Sequence, residues 1–349
     1  MINPDAKLKE GLFEPTASDA KAMEATREGF GKGLVEAADA DERVVALCAD
    51  LTESTRMEAF AKKYPERYIE VGVAEQNLAA LASGFAAYGK IPFITSYATF
   101  SPGRNNEQIR TTISLNNVPV KIVGSHAGVS VGPDGATHQA LEDIGLMRMQ
   151  PRMTVISPCD AEEARKATLA AAKYDGPVYI RLAREKTPLM TTPETPFEIG
   201  KANVLWKSPP RSDLKGDQGP TSGDADVAIF ATGPLVHNAL LASQLLEKEG
   251  IAVSVVNVHT IKPLDKETVV REARAAGAVV SVEEHQIAGG LGSAIAELLA
   301  EACPVPQEFV GVRDQFGQSG TPKELIEHYG LGVSHIAAAV KKVLQRKTP

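Results

Sequence analysis

The sequence predicts an α/β protein of two consecutive domains, each a mostly parallel sheet flanked by helices. Three observations carry this. Short apolar runs such as residues 43–48 (RVVALC) have no polar punctuation, as strands covered on both faces require. These runs alternate with longer stretches of helical spacing, the pattern of βαβ units. The alternation breaks once, at 207–225 (KSPPRSDLKGDQGPTSGDA), and restarts at Asp226.

Taken in order, residues 1–17 read as a loose arm. Ser18 is a cap candidate for a helix from about Asp19 to Ala38, because Ala22, Ala25, Phe30 and Leu34 recur at near-helical spacing. Strands are expected at 43–48, 91–95, 120–123, 154–156 and 178–182. Between them, Ala-rich 75–88, then 107–115 and 161–174 have helical character, the last behind the cap candidate Asp160. The first domain is therefore expected over 18–195. The second, over 196–349, begins with the Pro- and Gly-rich loop excursion at 207–225. In it VAIFAT, IAVSVVNV and AVVSVE are strands, with helices ending near Lys248 and spanning 292–303.

The chain has 349 residues, 43% hydrophobic and 23% charged, which is ordinary for a globular protein. A formal charge of −7 without a basic run gives no basis for nucleic acid or an anionic membrane as partner. Cys48, Cys159 and Cys303 are too scattered for a disulfide framework or a zinc site. A reducing, cytoplasmic setting is the expectation. No window reaches 18 apolar residues, so no membrane span is expected.

Three constellations carry chemistry. Glu75 sits where strand-like YIEVGV turns into a helix, and ligands gather at such strand ends. Its plainer reading is a first-turn acid favoured by the helix dipole. Next, SHAGVSVGPDGATHQALED brings His126, Asp134 and His138 onto one Gly-rich loop, suited to close approach of a ligand. Their spacing does not make a metal site, and recognition of hydroxyl or phosphate groups is the better functional reading. Solvated loop histidines are the alternative. Last, Tyr97 and Phe100 follow a strand in TSYATFSPGRNNEQIR, either to stack a planar heterocycle or simply as core.

GVAEQN, then an aromatic loop ending in GR, then H-x7-D-G-x-T-H-Q, in that order, resemble the pyrimidine-binding domain of transketolases. The resemblance runs from about residue 20 through IKPLD and VVSVEEHQIAGGLGSAIAE. It implies a thiamine diphosphate-binding fold and roles residue by residue. Glu75 matches the catalytic glutamate that binds a ring nitrogen of the cofactor's aminopyrimidine and favours its imino tautomer. Phe100, helped by Tyr97, stacks that ring, and Asp50 and Leu51 pack near the thiazolium. Asp134 binds a sugar hydroxyl, and His138 lies close to the reacting carbons. Arg27, Ser54, His126 and Arg184 fall where the family grips the substrate phosphate, a sensible clamp of two guanidiniums, a hydroxyl and an imidazole. Arg181 rivals Arg184, since both lie in YIRLARE.

Complete family members also hold the diphosphate through a metal, at Gly-Asp-Gly followed some thirty residues later by Asn. No Gly-Asp-Gly occurs in this chain. The expectation is a β-type subunit of a split transketolase. A partner chain would supply the diphosphate domain and its Mg2+ or Ca2+, in a two-fold α2β2 assembly acting on sugar phosphates. Alternatives are a deoxyxylulose-phosphate synthase-like half, the β subunit of a 2-oxoacid dehydrogenase, and a non-catalytic assembly subunit.

Overall fold

The computed structural model describes residues 1–13, 23–208 and 225–347. Eight strands come first: β1 (Met23–Ala25), β2 (Val44–Cys48), β3 (Tyr68–Glu70), β4 (Ile91–Tyr97), β5 (Lys121–Ser125), β6 (Thr154–Ile156), β7 (Val178–Arg181) and β8 (Lys186–Pro188). Six follow: β9 (Asn203–Lys207), β10 (Val227–Ala231), β11 (Val253–Asn257), β12 (Thr260–Lys262), β13 (Val279–Gln286) and β14 (Gln307–Val312). β1 and β8 pair as an antiparallel two-stranded sheet, and the other twelve form a seven-stranded sheet, order β12-β6-β7-β5-β4-β2-β3, and a five-stranded sheet, order β14-β13-β10-β11-β9. Every pairing in these two sheets is parallel except β12 with β6 and β11 with β9. The expected α/β class with mostly parallel sheets is therefore the observed one.

β2, β5 and β10 are buried at every position, as strands covered on both faces must be. One apolar cluster joins the two sheets, with Val45, Ile94 and Ile122 from the first, Phe230 and Val256 from the second, and Leu78 and Ile295 from helices packed on them. β12 strengthens this junction. It carries the start of IKPLD, lies in the second half of the chain, and pairs with β6 of the first sheet.

Several expectations need correction. The first long helix, α1, is Thr26–Ala40, and it begins after β1 rather than at Asp19. Ser18 lies outside the described residues, as does most of the 207–225 excursion. Gly29 shows why α1 sits where it does. A Cβ there would come within 1.7 Å of Ala161 O, so the glycine lets α1 press onto the helix Ala161–Lys173. Residues 1–13 are not loose. Met1 donates to Lys207 O at 2.8 Å, Asn3 Nδ2 to Val204 O at 2.7 Å, and Phe13 meets Trp206 edge-on at 5.7 Å. The helix expected over 107–115 is a turn of α-helix, Asn106–Gln108, running into a π-helix, Ile109–Ser114. By contrast Asp160 does cap its helix, accepting from Glu163 N at 2.8 Å.

Candidate active site

β7, β5, β4, β2 and β3 lie side by side and run the same way. Their C-terminal ends share one sheet edge, where ligands collect in open α/β sheets. The loop after β2 carries Asp50, Leu51 and Ser54. Glu75 follows β3, and Tyr97 ends β4 with Phe100 close behind. His126, Asp134 and His138 follow β5, and Arg184 follows β7. Arg27 arrives from the first turn of α1, which is tied to the end of β7 because Ala183 N donates to Thr26 Oγ1 at 2.8 Å. Sheet topology thus gathers segments that span more than 150 residues of sequence.

Two further helices frame the edge: α2 (Glu58–Lys63) and α3 (Glu75–Ala87). Glu75 opens α3, where the helix dipole favours a carboxylate, and its side chain is only 2% exposed. Arg104 donates to its Oε2 at 3.1 Å, while the Ser96 hydroxyl stands 3.4 Å from Oε1. The same guanidinium lies over the Phe100 ring at 5.1 Å, a cation–π distance. One planar group bearing N–H donors therefore touches both the carboxylate and the aromatic face. That contact pair fits an aminopyrimidine ring, which offers the same planarity and donors. Beside it, the buried Thr99 Oγ1 and Asn105 Oδ1 have no partner among the described residues.

Tyr97 stacks on His126 with centroids 3.9 Å apart and runs parallel to Phe100 at 6.1 Å. His138 stands edge-on to both rings, at 5.9 Å and 5.4 Å. His126 is buried and takes a left-handed backbone, φ 56°. Its Nε2 lies 3.5 Å from Arg27 Nη1, and its Nδ1 lies 2.9 Å from Ser125 Oγ. A guanidinium can only donate, so Nε2 accepts and the proton sits on Nδ1. Burial, followed by the charges of Arg27, Arg184 and Arg56, pushes the imidazole down to about 3, so His126 is neutral at ordinary pH.

Arg27 Nη1 donates to Ser54 O at 2.8 Å, and its buried Nε has no partner among the described residues. Arg184 donates to Val131 O at 2.7 Å and is otherwise half-buried at this edge. Arg181 is committed elsewhere. It is buried, holds Asp143 Oδ2 at 2.8 Å, and donates to Glu284 O of the second sheet at 2.8 Å. Among the described residues, Asp50, Leu51 and Asp134 reach the same edge but stand outside this contact network. Asp50 is exposed, with its N–H on Glu70 Oε1 at 2.7 Å, and Asp134 is exposed at the end of a 3-10 turn.

The second half of the chain holds the loop that carries Asp134 and His138. Gln139 Nε2 donates to Val129 O at 3.1 Å and to Gln318 O at 3.0 Å, while Ser130 N donates to Glu284 Oε1 at 2.6 Å. Sequence reasoning missed two arginines. Arg104 is the GR that ends the aromatic loop, four residues after Phe100. Arg56 follows Ser54 by two residues on a left-handed backbone, φ 64°, a conformation no non-glycine residue announces. Among the described residues, no group of three or more His, Cys, Asp or Glu is placed to hold a metal ion.

Residues 22–190 match the transketolase pyrimidine binding domain, and residues 220–336 match the transketolase C-terminal domain. The 6-deoxy-6-sulfo-D-fructose transketolase subunit SqwH of Clostridium sp. (strain MSTE9) is 42% identical over 92% of this chain and 95% of its own. An apulose-4-phosphate transketolase subunit of Phocaeicola vulgatus is 35% identical over 89% of this chain and 95% of its own. A solved structure, a split gene transketolase described as an inactive β4 tetramer, superposes with a TM-score of 0.83. It is 45% identical and aligns over 93% of this chain and 99% of its own. The fold, the ordered motifs and these full-length likenesses converge: the chain belongs to the transketolase family, as the β-type subunit of a split, thiamine diphosphate-dependent transketolase.

Proposed function

We propose that this chain works as a transketolase (glycolaldehydetransferase) only together with a partner chain. The partner holds the cofactor's diphosphate and its Mg2+ or Ca2+, and the complex moves a two-carbon ketol unit from a ketose phosphate to an aldose phosphate. The observation that carries the reading is the single sheet edge that sets the Glu75–Phe100 corner beside Arg27, His126 and Arg184, in a chain without Gly-Asp-Gly. A relative whose β chains alone form a tetramer described as inactive supports the need for a partner. An α2β2 assembly, with this chain divided at about residue 195, a cytoplasmic setting and a place in the pentose phosphate pathway complete the proposal.

Thiamine diphosphate, when bound, supplies the nucleophilic carbon for the transfer. The chain's own residues do the rest. Glu75, pinned through Oε2 by Arg104, presents Oε1 to hold and return a proton at the pyrimidine edge. Phe100 and Tyr97 offer the stacking face, and Asp50 and Leu51 border it. His138, edge-on to both rings, would lie close to the reacting carbons, and Asp134, exposed, would receive a sugar hydroxyl. Arg27, Ser54, His126 and Arg184 hold the terminal phosphate. A synthase-like half usually lacks a histidine at the position matching His126, whereas here His126 is present, stacked on Tyr97 and within reach of Arg27.

Arg184→Ala tests the clamp. Losing a charge-assisted donor worth about 1.5–3 kcal/mol weakens kcat/KM for ribose 5-phosphate by roughly tenfold to a hundredfold. Glycolaldehyde, which has no phosphate, changes little. Equal losses with both acceptors contradict the reading.

A further inference from the structure

We propose that Arg56 sets the clamp's preference for a doubly charged end group over a singly charged one. The inference rests on the phosphate-clamp reading and names a residue outside it. The turn 53–56 is stapled twice to the first turn of α1. Arg27 Nη1 grips Ser54 O at 2.8 Å, and Arg56 Nε grips Glu28 Oε1 at 2.8 Å, so adjacent residues of α1 hold the two ends of one short loop. Arg56 Nη1 also reaches Glu53 O at 3.2 Å, which fixes the guanidinium against the loop.

The chain accepts strain and lost side-chain volume to keep Arg56 there. Its φ of 64° is unusual for a residue with a Cβ, and such outliers persist where surrounding structure over-determines them. Position 31 on α1 has to be glycine, because a Cβ would lie 2.6 Å from Arg56 O and 2.9 Å from Arg56 Cβ. Arg56 is also the leading like charge acting on Arg27, and after burial, Arg27 and Arg184 it adds to what keeps His126 uncharged. Two guanidiniums, Arg56 and Arg184, therefore act on Arg27, whose buried Nε has no partner among the described residues. The carboxylates that face them are Glu28, on Arg56, and Glu185, 3.6 Å from Arg184.

With Arg56 Nε on Glu28 and Nη1 on Glu53, the guanidinium is held against the loop and acts on the end group through its charge. A charge–charge energy is proportional to the ligand's charge, so removing Arg56 changes binding of a dianion by the square of the factor for a monoanion. With Arg56 half-exposed and partly screened, the expected losses are roughly threefold for a monoanion and tenfold for a dianion.

All of these groups belong to this chain, so the test uses the full chain, labelled with 15N-arginine and followed by NMR. It is titrated at about pH 8.5 with inorganic phosphate and sulfate as dianions and methanesulfonate as monoanion. Arg56→Gln weakens both dianions by the larger factor and methanesulfonate by the smaller, and Arg56→Lys restores the order. Glu28→Gln, which keeps Arg56 and removes its counter-charge, tightens the dianions more than the monoanion. That variant decides the matter if Arg56→Gln fails to fold. Equal factors for all three anions, or no change in any, overturn the proposal, as does Glu28→Gln without effect. Arg184→Ala in the same titration separates the two readings. If it weakens no anion, the clamp reading falls and takes the Arg56 proposal with it. If it weakens all three while the Arg56 and Glu28 variants change nothing, the Arg56 proposal alone falls.

Discussion

Arg181 and Arg184 lie three residues apart on one strand end, and the structure separates their consequences. Arg181 is 5% exposed and Asp143 is 1% exposed, and the pair is closed at 2.8 Å with Tyr179 OH also donating to Asp143 Oδ2 at 2.7 Å. The same guanidinium ties Ala140 O and Glu284 O together across the two sheets. Arg181→Ala leaves a buried carboxylate with one remaining donor, so the expected cost is about 3–5 kcal/mol. Arg184 is 33% exposed, with one backbone acceptor and a 3.6 Å ion pair, so Arg184→Ala costs roughly 0.5–1.5 kcal/mol. Urea unfolding of both variants, followed by far-ultraviolet circular dichroism, measures the difference. An apolar pair, Arg181→Met with Asp143→Leu, should recover only the part due to the orphaned carboxylate, since Tyr179 OH, Ala140 O and Glu284 O still lose their partners. Should Arg181→Ala be as stable as the parent and selectively lose phosphorylated acceptors, Arg181 rather than Arg184 is the phosphate ligand.

Two further outcomes follow from the site. Glu75→Gln, assayed in the complex, should cut ketol transfer by about 10²–10⁴ with partner association intact, because glutamine keeps the shape and cannot exchange the proton; near-parent turnover would reduce Glu75 to a helix-start acid. The pH dependence of stability has a definite sign. His126 and His259 both fall to about 3 on folding, mainly through burial, so below about 6.5 the unfolded chain takes up protons that the folded chain refuses. Their stabilising contribution is full above pH 6.5 and is lost as pH falls toward 3, at about 1.4 kcal/mol per pH unit for each histidine. His126→Gln should flatten the urea-midpoint profile between pH 6.5 and 5 by one such increment, and an unchanged slope contradicts the burial argument.

Much of the fold was legible because buried parallel strands and helix caps write themselves locally, as β2 and Asp160 do. The errors came where distant partners decide. α1 starts at Thr26 because Ala183 and the helix 161–173 meet it there, and neither neighbour is visible from the run 19–38. β12 joins the first sheet although it belongs to the second half of the chain, and residues 1–13 pack because β9 offers them carbonyl acceptors. Within the site, sequence spacing placed Glu75, Tyr97, Phe100 and His126 after strands, since topology alone delivers strand ends to one edge. It could not rank Arg181 against Arg184, because the choice depends on Asp143 lying beneath one of them. Nor could it find Arg104 and Arg56, whose roles rest on side-chain contacts to Glu75 and Glu28.

The central claim is that this chain holds half of a thiamine diphosphate site. Calorimetry of the purified chain with thiamine diphosphate and magnesium, repeated after addition of the chain that carries Gly-Asp-Gly, tests it most directly. Weak binding and no turnover are expected of the chain alone, with tight binding and ketol transfer appearing together once the partner is present. Tight binding by the isolated chain, well below about 1 μM and more favourable than about −8 kcal/mol, would contradict the claim.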